Sequence, residues 1–312
     1  MPTPPHDRSR LLSEQGVPTT LFVDSIDRWI ETMVADDRVG DNVMSRLVNA
    51  KVIAKGHGII CGHTIIDRLI GKYASGCSIQ WMVKEGEKVM PKDTVLEISG
   101  DSAEILKIER VLLNILGRLS GISTSTYDWV SISKNMDIAC TRKTDWGLLD
   151  KWAVHIGGGL THRLDREDAL MLKENDFASA KNKGESELDT LKRVISDINL
   201  DKNSEFTVIE VQNIEQAVMA ADTWFELQKV HAKTDPVVLL LDNMVIAQVT
   251  EIIIKLKELN LREWCVLEGS GGIMKDSIPN WVTSGVDLIS TSAVNRGISP
   301  LDLSLIIDGG GK

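Results

Sequence analysis

Cationic side chains are concentrated in the stretch 140–176, and their chemistry suits a small anionic ligand. An arginine fork holds a carboxylate through two parallel hydrogen bonds, and lysine adds a compact positive charge. The candidate donors are Thr141, Arg142, Lys143, His162, Arg163 and Lys173. Any one of the arginines and lysines alone is more simply a surface charge, and His162 could be a structural histidine, although ligand contact is the favoured interpretation for it. As a set they predict a pocket for a ligand that carries more than one negative charge.

Two carboxylates, Glu210 and Asp242, each follow an apolar run, in TVIE and LLLD. Carboxylates at the ends of strands commonly hold Mg²⁺, often through water, or bind sugar hydroxyls. A salt bridge to the cationic side chains is the alternative, and the two interpretations are compatible.

Two segments rich in glycine or hydroxyl groups have the composition of phosphate loops. They contain Ser270, Gly271 and Gly272 in the first case and Thr291, Ser292 and Ala293 in the second. Backbone N–H groups in such loops are donors to phosphate, and paired phosphate loops after the last two strands recur in β/α barrels. The triple glycine at 157–159 is a weaker signal, because a turn explains it equally well.

Short apolar runs alternate with longer helical patterns after Ser120, which predicts parallel strands joined by helical crossovers. The predicted strands are 137–141, 169–173, 207–211, 237–241, 265–268 and 288–290, and the predicted helices are 147–156, 185–199, 213–231, 243–259 and 276–284. Six strand–helix units are fewer than the eight of a complete TIM barrel. We therefore predict an incomplete, open α/β barrel, with a doubly wound sheet as the alternative.

The chain before Ser120 has a different pattern, typical of an α+β domain. Residues 1–18 predict a loose arm, and a helix is predicted from Thr20. Short β segments with glycine turns occupy 46–99, and an amphipathic helix follows at 101–119. Because ligands of α/β folds bind outside the carboxyl ends of the strands, the charged and glycine-rich strand ends beyond this domain predict the active site.

Composition narrows the function classes. A net charge of −10 argues against a general binder of nucleic acid or of membrane surfaces. The four cysteines lack CxxC spacing, which favours reduced thiols. No secretory signal and no apolar run long enough for a membrane span are recognisable, so we expect a soluble, cytoplasmic protein. The motifs of nicotinamide dehydrogenases, P-loop proteins, zincins and α/β-hydrolases are also absent from the sequence.

Eight segments occur in an order that resembles the quinolinate phosphoribosyltransferase family, the carboxylating nicotinate-nucleotide pyrophosphorylases. They are ERVLLNILGRLSGIST (109–124), TRKT (141–144), GGGLTHR (157–163), LKEND (172–176), IEVQN (209–213), LLDN (240–243), GSGGI (269–273) and GVDLIS (285–290). The resemblance implies an N-terminal α/β sandwich domain of residues 1–121, joined by the C-terminal tail 297–312. It further implies an incomplete, TIM-like α/β barrel over residues 122–296.

The resemblance also implies the reaction, in which quinolinate and phosphoribosyl pyrophosphate give nicotinate mononucleotide, pyrophosphate and CO₂ with Mg²⁺ as cofactor. It implies a homodimer with shared active sites, or a hexamer built from such dimers. The implied quinolinate ligands are Arg142, His162, Arg163 and Lys173, with Thr141 beside them and Arg110 of the partner subunit. Lys143, Glu210 and Asp242 are the implied catalytic residues, the two carboxylates lying near the ribose hydroxyls and Mg²⁺. Ser270, Gly271, Gly272, Thr291, Ser292 and Ala293 match the 5′-phosphate site.

Three positions depart from the family pattern. Asp145-Trp146-Gly147 stands where the family has a residue followed by Pro-Gly, Ser292 replaces a glycine, and Phe177 replaces a histidine. Two alternatives remain: a relative of the same fold, such as the molybdenum-transport-associated one, that acts on another acceptor, or a binding protein without turnover. Retention of the whole cationic set favours the dicarboxylate, because a monocarboxylate would leave buried positive charge unpaired.

Overall fold

The computed structural model describes residues 2–37, 45–202 and 205–308, which form two compact units. The barrel unit contains the chain up to Arg8 with residues 129–142 and 160–293. The antiparallel unit contains residues 9–128 and 143–159 and the chain from Val294 onward. The predicted domain boundaries after residues 121 and 296 stay predictions, and the end of the predicted tail, 309–312, lies outside the described residues.

The helices and strands are numbered in chain order. The strands are β1 (Ser13–Glu14), β2 (Val17–Pro18), β3 (Leu47–Ala54), β4 (Gly58–Ile59), β5 (Ser78–Trp81), β6 (Lys88–Val89), β7 (Thr94–Asp101), β8 (Asp137–Ala139), β9 (Leu170–Leu172), β10 (Thr207–Val211), β11 (Val237–Asp242), β12 (Cys265–Ser270), β13 (Leu288–Ser290) and β14 (Leu303–Ile307). The α-helices are α1 (Thr20–Asp36), α2 (His63–Tyr73), α3 (Ser102–Ser133), α4 (Leu148–Ile156), α5 (Glu174–Ala180), α6 (Glu187–Ser196), α7 (Ile214–Val230), α8 (Ile246–Glu258) and α9 (Ile278–Ser284). None of the described helices is long and apolar enough to cross a membrane.

The antiparallel unit is built on a four-stranded sheet in the order β14-β3-β7-β5. Strand β3 buries Ala50, Val52 and Ala54, because successive side chains of a strand point to opposite faces. Helix α1 buries Phe22 and Ile26, four residues apart and therefore on one helical face. Mixed α/β structure in this part of the chain agrees with the predicted fold class.

Helix α3 is longer than the predicted helix 101–119, because it continues to Ser133. The continuation contains serine and threonine side chains, which have low helix propensity but find partners here. Ser123 Oγ donates to the Ala153 carbonyl at 2.7 Å, and Thr124 Oγ1 accepts from the Ile59 amide at 2.8 Å. Tertiary packing therefore overrides local propensity, and the prediction that the helix ends near residue 119 is wrong.

The barrel unit contains a six-stranded parallel sheet in the order β8-β13-β12-β11-β10-β9. Neighbouring strands follow one another along the chain except at one place, where the first strand, β8, pairs with the last, β13. The edge strands β8 and β9 are not paired with each other, although Leu160 forms a parallel bridge with Ala139. The prediction of an incomplete, open α/β barrel is thereby confirmed.

Alternate residues of the six strands face inward and form an apolar core. This inner cluster consists of Ala139, Leu160, Ala169, Met171, Phe206, Val208, Val238, Leu240, Val266 and Leu288. Because the side-chain period of a strand is two residues, the next inward positions towards the carboxyl ends belong to the same inner face.

The first residues of the chain are more ordered than the sequence predicts. His6 is fully buried and Arg8 is 4% exposed, both within the barrel unit. Residues 13–18 form the small hairpin β1–β2, whose turn residues Gln15 and Gly16 both have positive φ. The prediction of a loose arm over residues 1–18 is therefore wrong for these segments.

Candidate functional site

Most of the predicted site residues lie at the carboxyl edge of the six-stranded sheet, the edge formed by the strand ends and the loops that follow them. Thr141 and Arg142 follow β8, Lys173 follows β9, and Glu210 lies near the end of β10. Asp242 and Ser270 are the last residues of β11 and β12. Gly271 and Gly272 continue from β12, and Thr291, Ser292 and Ala293 follow β13. Thirteen of the fifteen predicted residues belong to the barrel unit, the exceptions being Arg110 and Lys143.

The strand register places several of these side chains on the inner face. Glu210 is level with Leu240 of the inner cluster, and Asp242, two residues beyond Leu240, is level with Ser270. Residues two apart on one strand point to the same face, so both carboxylates continue the inward row above the apolar core. The Ser290 and Ser270 hydroxyls, 3.4 Å apart, lie on that side too.

Lys173 and Glu210 form an ion pair across the neighbouring strands β9 and β10. The salt bridge considered as an alternative for Glu210 is therefore present. Lys173 is exposed whereas the Glu210 side chain is only 9% exposed, so the pair stands at the border between solvent and core. Asp242 is half-buried, and its carboxylate accepts a hydrogen bond from the side-chain Nδ2 of Asn243 at 2.7 Å.

Arg163 is a buried cation that lacks a carboxylate partner among the described residues. It is 8% exposed, its Nη1 donates to the Ala169 carbonyl at 3.0 Å, and its Nε has no hydrogen-bond partner. Burial lowers the pKa of Arg163, the positive charges of Arg142 and Arg166 lower it further, and the charges of Asp165 and Asp176 oppose this change without reversing it. Buried positive charge that is only partly compensated favours the binding of an anion.

His162 lies beside Arg163 with a positive φ of 53° and is 4% exposed. Its Nδ1 accepts a hydrogen bond from the Arg163 amide at 2.6 Å, so its Nε2 carries the proton and donates to Glu268 Oε1 at 3.2 Å. Glu268 also accepts from His6 Nε2 at 2.9 Å. Burial alone raises the pKa of Glu268, but the two histidines outweigh burial and the pKa is lowered.

Sequence reasoning missed His6 altogether and did not connect Glu268 with His162. The position of Glu268 was detectable, because it occupies an inward position of an apolar strand. His6 is separated from Glu268 by 262 residues and stands in a proline-rich segment, where no periodic pattern marks it.

The first candidate phosphate loop has a backbone that requires glycine at one position. Gly271 has φ +98°, and a Cβ added there would lie 2.3 Å from Asn243 Oδ1. Gly272 has φ +58° and open space around its Cα. In the second loop, Thr291 Oγ1 donates to the Ile273 carbonyl and accepts from the Ala293 amide, which joins the two loops. The Ser292 and Ala293 backbone forms a 3-10 turn with Val294.

Lys143 and Arg110 belong to the antiparallel unit, where Arg110 is exposed on α3 and Lys143 is exposed in the segment before α4. The Lys143 backbone carbonyl accepts a hydrogen bond from the side-chain Nδ2 of Asn295 at 3.0 Å.

The unusual turn at Asp145 is held by an internal network of the antiparallel unit. The buried Asp150 carboxylate accepts from the Asp145 and Trp146 amides at 2.8 and 3.2 Å and from Arg118 at 3.0 Å. The Arg118 guanidinium stacks on Trp146 at 4.8 Å, and Trp146 stacks on Trp29 at 5.8 Å. These contacts order the turn without a proline.

The position of Phe177 is also defined. It lies on α5 in the barrel unit and lines a cavity of 220 Å³ with Glu174, Thr190 and Glu210. An apolar ring therefore occupies the neighbourhood of Glu210 where the family pattern has a histidine.

Comparisons with known proteins agree with this architecture. Family models for the C-terminal and N-terminal domains of quinolinate phosphoribosyl transferase match residues 122–306 and 32–120. A probable carboxylating nicotinate-nucleotide pyrophosphorylase of Methanothermobacter thermautotrophicus is 31% identical over 268 residues, which cover 84% of this chain and 89% of that protein. A mitochondrial decarboxylating quinolinate phosphoribosyltransferase of Nicotiana tabacum is 30% identical over 83% of this chain and 73% of its own length.

A solved structure leads to the same family. The nicotinate-nucleotide pyrophosphorylase of Francisella tularensis superposes with a TM-score of 0.77 at 27% identity, covering 91% of this chain and 96% of its own. The resemblance seen in the sequence is confirmed, and the chain belongs to the quinolinate phosphoribosyltransferase family.

Proposed function

We propose that this chain transfers the phosphoribosyl group of phosphoribosyl pyrophosphate to quinolinate with loss of CO₂, forming nicotinate mononucleotide for NAD biosynthesis. The observation that carries the proposal is the buried Arg163 guanidinium, which lacks a carboxylate partner in the described chain and lies close enough to Arg142 for their charges to interact. Quinolinate brings two adjacent carboxylates, which would neutralise such a pair.

The dicarboxylate would be held by Arg142, Arg163 and Lys173, with the His162 ring beside them. Arg163 can use the unpartnered Nε and its remaining N–H groups for a forked hydrogen bond. His162 orients its neighbour through the Arg163 amide. Thr141 stands next to Arg142 at the start of the same loop and adds a hydroxyl. These side chains bind and orient the substrate, and none needs to form a covalent bond with it.

The chemistry requires positioning and charge neutralisation. The pyridine nitrogen attacks the anomeric carbon while the bond to pyrophosphate breaks and pyrophosphate leaves with the electron pair. When CO₂ departs, the electron pair of the broken C–C bond stays on ring carbon 2, where the adjacent positive ring nitrogen stabilises it, and a proton from water then bonds to that carbon in place of the carboxylate. We assign Lys143 to the phosphoribosyl pyrophosphate or the reacting centre. Ser270, Gly271, Gly272, Thr291, Ser292 and Ala293 are assigned to the 5′-phosphate.

Mg²⁺ fits the donor set at the carboxyl edge. Glu210 and Asp242 lie on adjacent strands and the same inner face, and Mg²⁺ is commonly held by one or two carboxylates together with substrate phosphates and water. When bound, Mg²⁺ would supply charge stabilisation for the leaving pyrophosphate. Glu210 and Asp242 would hold it through water or bind the ribose hydroxyls, with Lys173 limiting the charge on Glu210.

We further propose a homodimer, or a hexamer built from such dimers, in the cytoplasm, in which each site receives Arg110 of the partner subunit. Support comes from the exposed position of Arg110 on α3 and from the family resemblance.

The direct test is incubation of the purified chain with quinolinate, phosphoribosyl pyrophosphate and Mg²⁺, with nicotinate mononucleotide, pyrophosphate and CO₂ measured together. We expect all three in equal amounts, and EDTA should abolish them. Product from nicotinate but not from quinolinate would refute the proposal in favour of another acceptor. Quinolinate binding without product would instead indicate a binding protein.

Shared sites are tested by subunit mixing. Arg110→Ala and Arg142→Ala should each be inactive, whereas mixed dimers should recover activity, because one of the two sites then contains neither substitution. Mixed dimers that form, as shown by two affinity tags, but remain inactive would contradict the shared site.

A further inference from the structure

Three titratable side chains meet inside the barrel unit, and each is buried. Glu268 of β12 accepts hydrogen bonds from His6 Nε2 on Oε2 at 2.9 Å and from His162 Nε2 on Oε1 at 3.2 Å. The two imidazole rings pack edge to face with centroids 4.7 Å apart. His6 comes from the N-terminal segment of the barrel unit and reaches the quinolinate ligand His162 both through this carboxylate and by direct ring packing.

The hydrogen bonds determine the proton on His162. The Arg163 amide points at Nδ1, which must therefore present its lone pair and leave the proton on Nε2. Glu268 is ionised at neutral pH because the two histidines lower its pKa despite burial. The ionised carboxylate accepts from both rings, so Glu268 holds the tautomer of His162, while the buried Nδ1 of His6 has no hydrogen-bond partner among the described residues.

The same atoms have the composition of a metal site, with two histidines and one glutamate whose ligand atoms lie within 4.8 Å of one another. A cation on Nε2 of His162 would require the proton to move to Nδ1, where it would face the N–H of Arg163 at 2.6 Å. The hydrogen-bonded arrangement avoids that conflict, so the geometry favours a proton network over a metal centre.

Residues 6–8 also contact the loop 161–168, which carries His162 and Arg163. Thr161 Oγ1 donates to the His6 carbonyl at 3.2 Å and accepts from the Arg8 amide at 2.8 Å. The Arg8 guanidinium donates to Asp168 at 2.8 and 2.9 Å, and the other oxygen of Asp168 accepts from the Leu164 amide at 2.9 Å. Both ends of the loop are thus joined to residues 6–8.

We propose that His6 is a positioning residue of the quinolinate site, acting through Glu268 on the tautomer and orientation of His162. Residues 6–8 at the same time brace the loop that carries Arg163. This inference rests on the proposed function, because it gives residues 6–8 a role in binding the dicarboxylate. Removal of the His6 donor leaves Glu268 with His162 as its one ring partner and frees His162 to take up a second proton. A proton on Nδ1 would then oppose the Arg163 amide and displace the guanidinium.

The test compares His6→Leu, which removes the donor, with His6→Gln, which places an amide N–H near the position of Nε2. We expect His6→Leu to raise KM for quinolinate by about tenfold or more, the effect of one lost hydrogen bond to a charged group. We expect kcat and KM for phosphoribosyl pyrophosphate to change little, and His6→Gln to restore most of the quinolinate affinity. Thr161→Val is a second, nearly isosteric variant that breaks the link to the arm and should raise the same KM if His6→Leu fails to fold.

Leu12→Ala is the control for general destabilisation, because Leu12 is fully buried and belongs to the antiparallel unit, whereas His6, Thr161 and Glu268 belong to the barrel unit. It should lower Tm without changing KM for quinolinate. An unchanged KM in folded His6→Leu and Thr161→Val, an equal rise in Leu12→Ala, or no rescue by His6→Gln would overturn the proposal. Stoichiometric zinc in the purified wild type, lost in His6→Leu, would overturn it in favour of a metal centre. A wild type without activity on quinolinate would refute the proposed function itself, and the positioning role with it.

Discussion

Arg163 and Arg262 form a matched pair of buried arginines within the barrel unit. They are 8% and 3% exposed, and each donates through Nη1 to a backbone carbonyl, at 3.0 Å to Ala169 and at 2.7 Å to Cys265. In both, Nε has no partner. They differ in one respect: Arg262 is paired with Asp287 at 2.7 Å, whereas Arg163 has no carboxylate partner among the described residues.

Substitution by methionine should therefore have opposite consequences at the two positions. Arg262→Met leaves Asp287 buried without its cation, which costs about 3–5 kcal/mol and lowers Tm by roughly 6–20 °C. Arg163→Met loses one hydrogen bond to a carbonyl, worth about 1 kcal/mol, but also removes an uncompensated buried charge. We expect the stability of Arg163→Met to stay within about 1 kcal/mol of the wild type or to exceed it.

Quinolinate affinity should show the opposite pattern, with the larger loss in Arg163→Met and little change in Arg262→Met. Arg163→Met should weaken quinolinate binding by about 2–5 kcal/mol, or roughly 30- to 5,000-fold in Kd, because a desolvated charge pair loses its cation. Arg262→Met should bind quinolinate like the wild type below its own Tm. Calorimetric unfolding with and without quinolinate, together with isothermal titration, measures both effects. Two results would refute the view that Arg163 binds a carboxylate of the substrate. They are equal destabilisation by the two substitutions, or a quinolinate-induced rise in Tm of Arg163→Met as large as that of the wild type.

Three further substitutions have effects whose direction the structure determines. Gly271→Ala should abolish phosphoribosyl pyrophosphate binding, because the added Cβ would lie 2.3 Å from Asn243 Oδ1. Gly272→Ala places its Cβ in open space and should lower the stability of the protein by only about 1–2 kcal/mol. Equal binding of phosphoribosyl pyrophosphate by the two variants, measured by titration, would contradict this reasoning. Burial raises the pKa of the Cys265 thiol to about 12. The neutral thiol therefore contributes fully to the stability of the folded protein below the thiol pKa of the unfolded chain, about 8.5, and this contribution is lost as pH rises from there towards the pKa of the folded protein. Cys265→Ala should reduce the slope of stability against pH in denaturant titrations over that range, and an unchanged slope would count against a buried neutral thiol.

The strands of the barrel were predictable because burial on both faces produces continuous apolar runs. The predicted strand 207–211 and the predicted strand 288–290 coincide with β10 and β13. Their carboxyl ends carried the polar groups of the candidate site, so the common edge was predictable as well. The ion pair between Lys173 and Glu210 was foreseen as an alternative, although no pattern in the sequence could decide it.

Contacts between distant segments were not predictable from local patterns. Helix α3 extends to Ser133 because Ser123 and Thr124 find partners on other segments, which a propensity argument cannot see. The buried hydrogen bond between His6 and Glu268 joins segments 262 residues apart, and no periodic pattern in either segment indicates it. Sequence patterns thus predict the strands of a sheet better than the individual hydrogen bonds between residues that are far apart in the chain.

The order of the strands has a consequence for how the chain acquires its structure during synthesis. The neighbour of strand β8 in the sheet is β13, and the edge neighbour of β3 is β14, residues 303–307. His6 and its partner Glu268 are 262 residues apart in the chain. At ribosomal rates of about 5–20 residues per second, the arm emerges roughly 10–50 s before its partner carboxylate. Local helices can form in that interval, but neither sheet can be completed. Nascent chains should therefore gain the protease resistance of the barrel late and in one step, once β13 has left the ribosome.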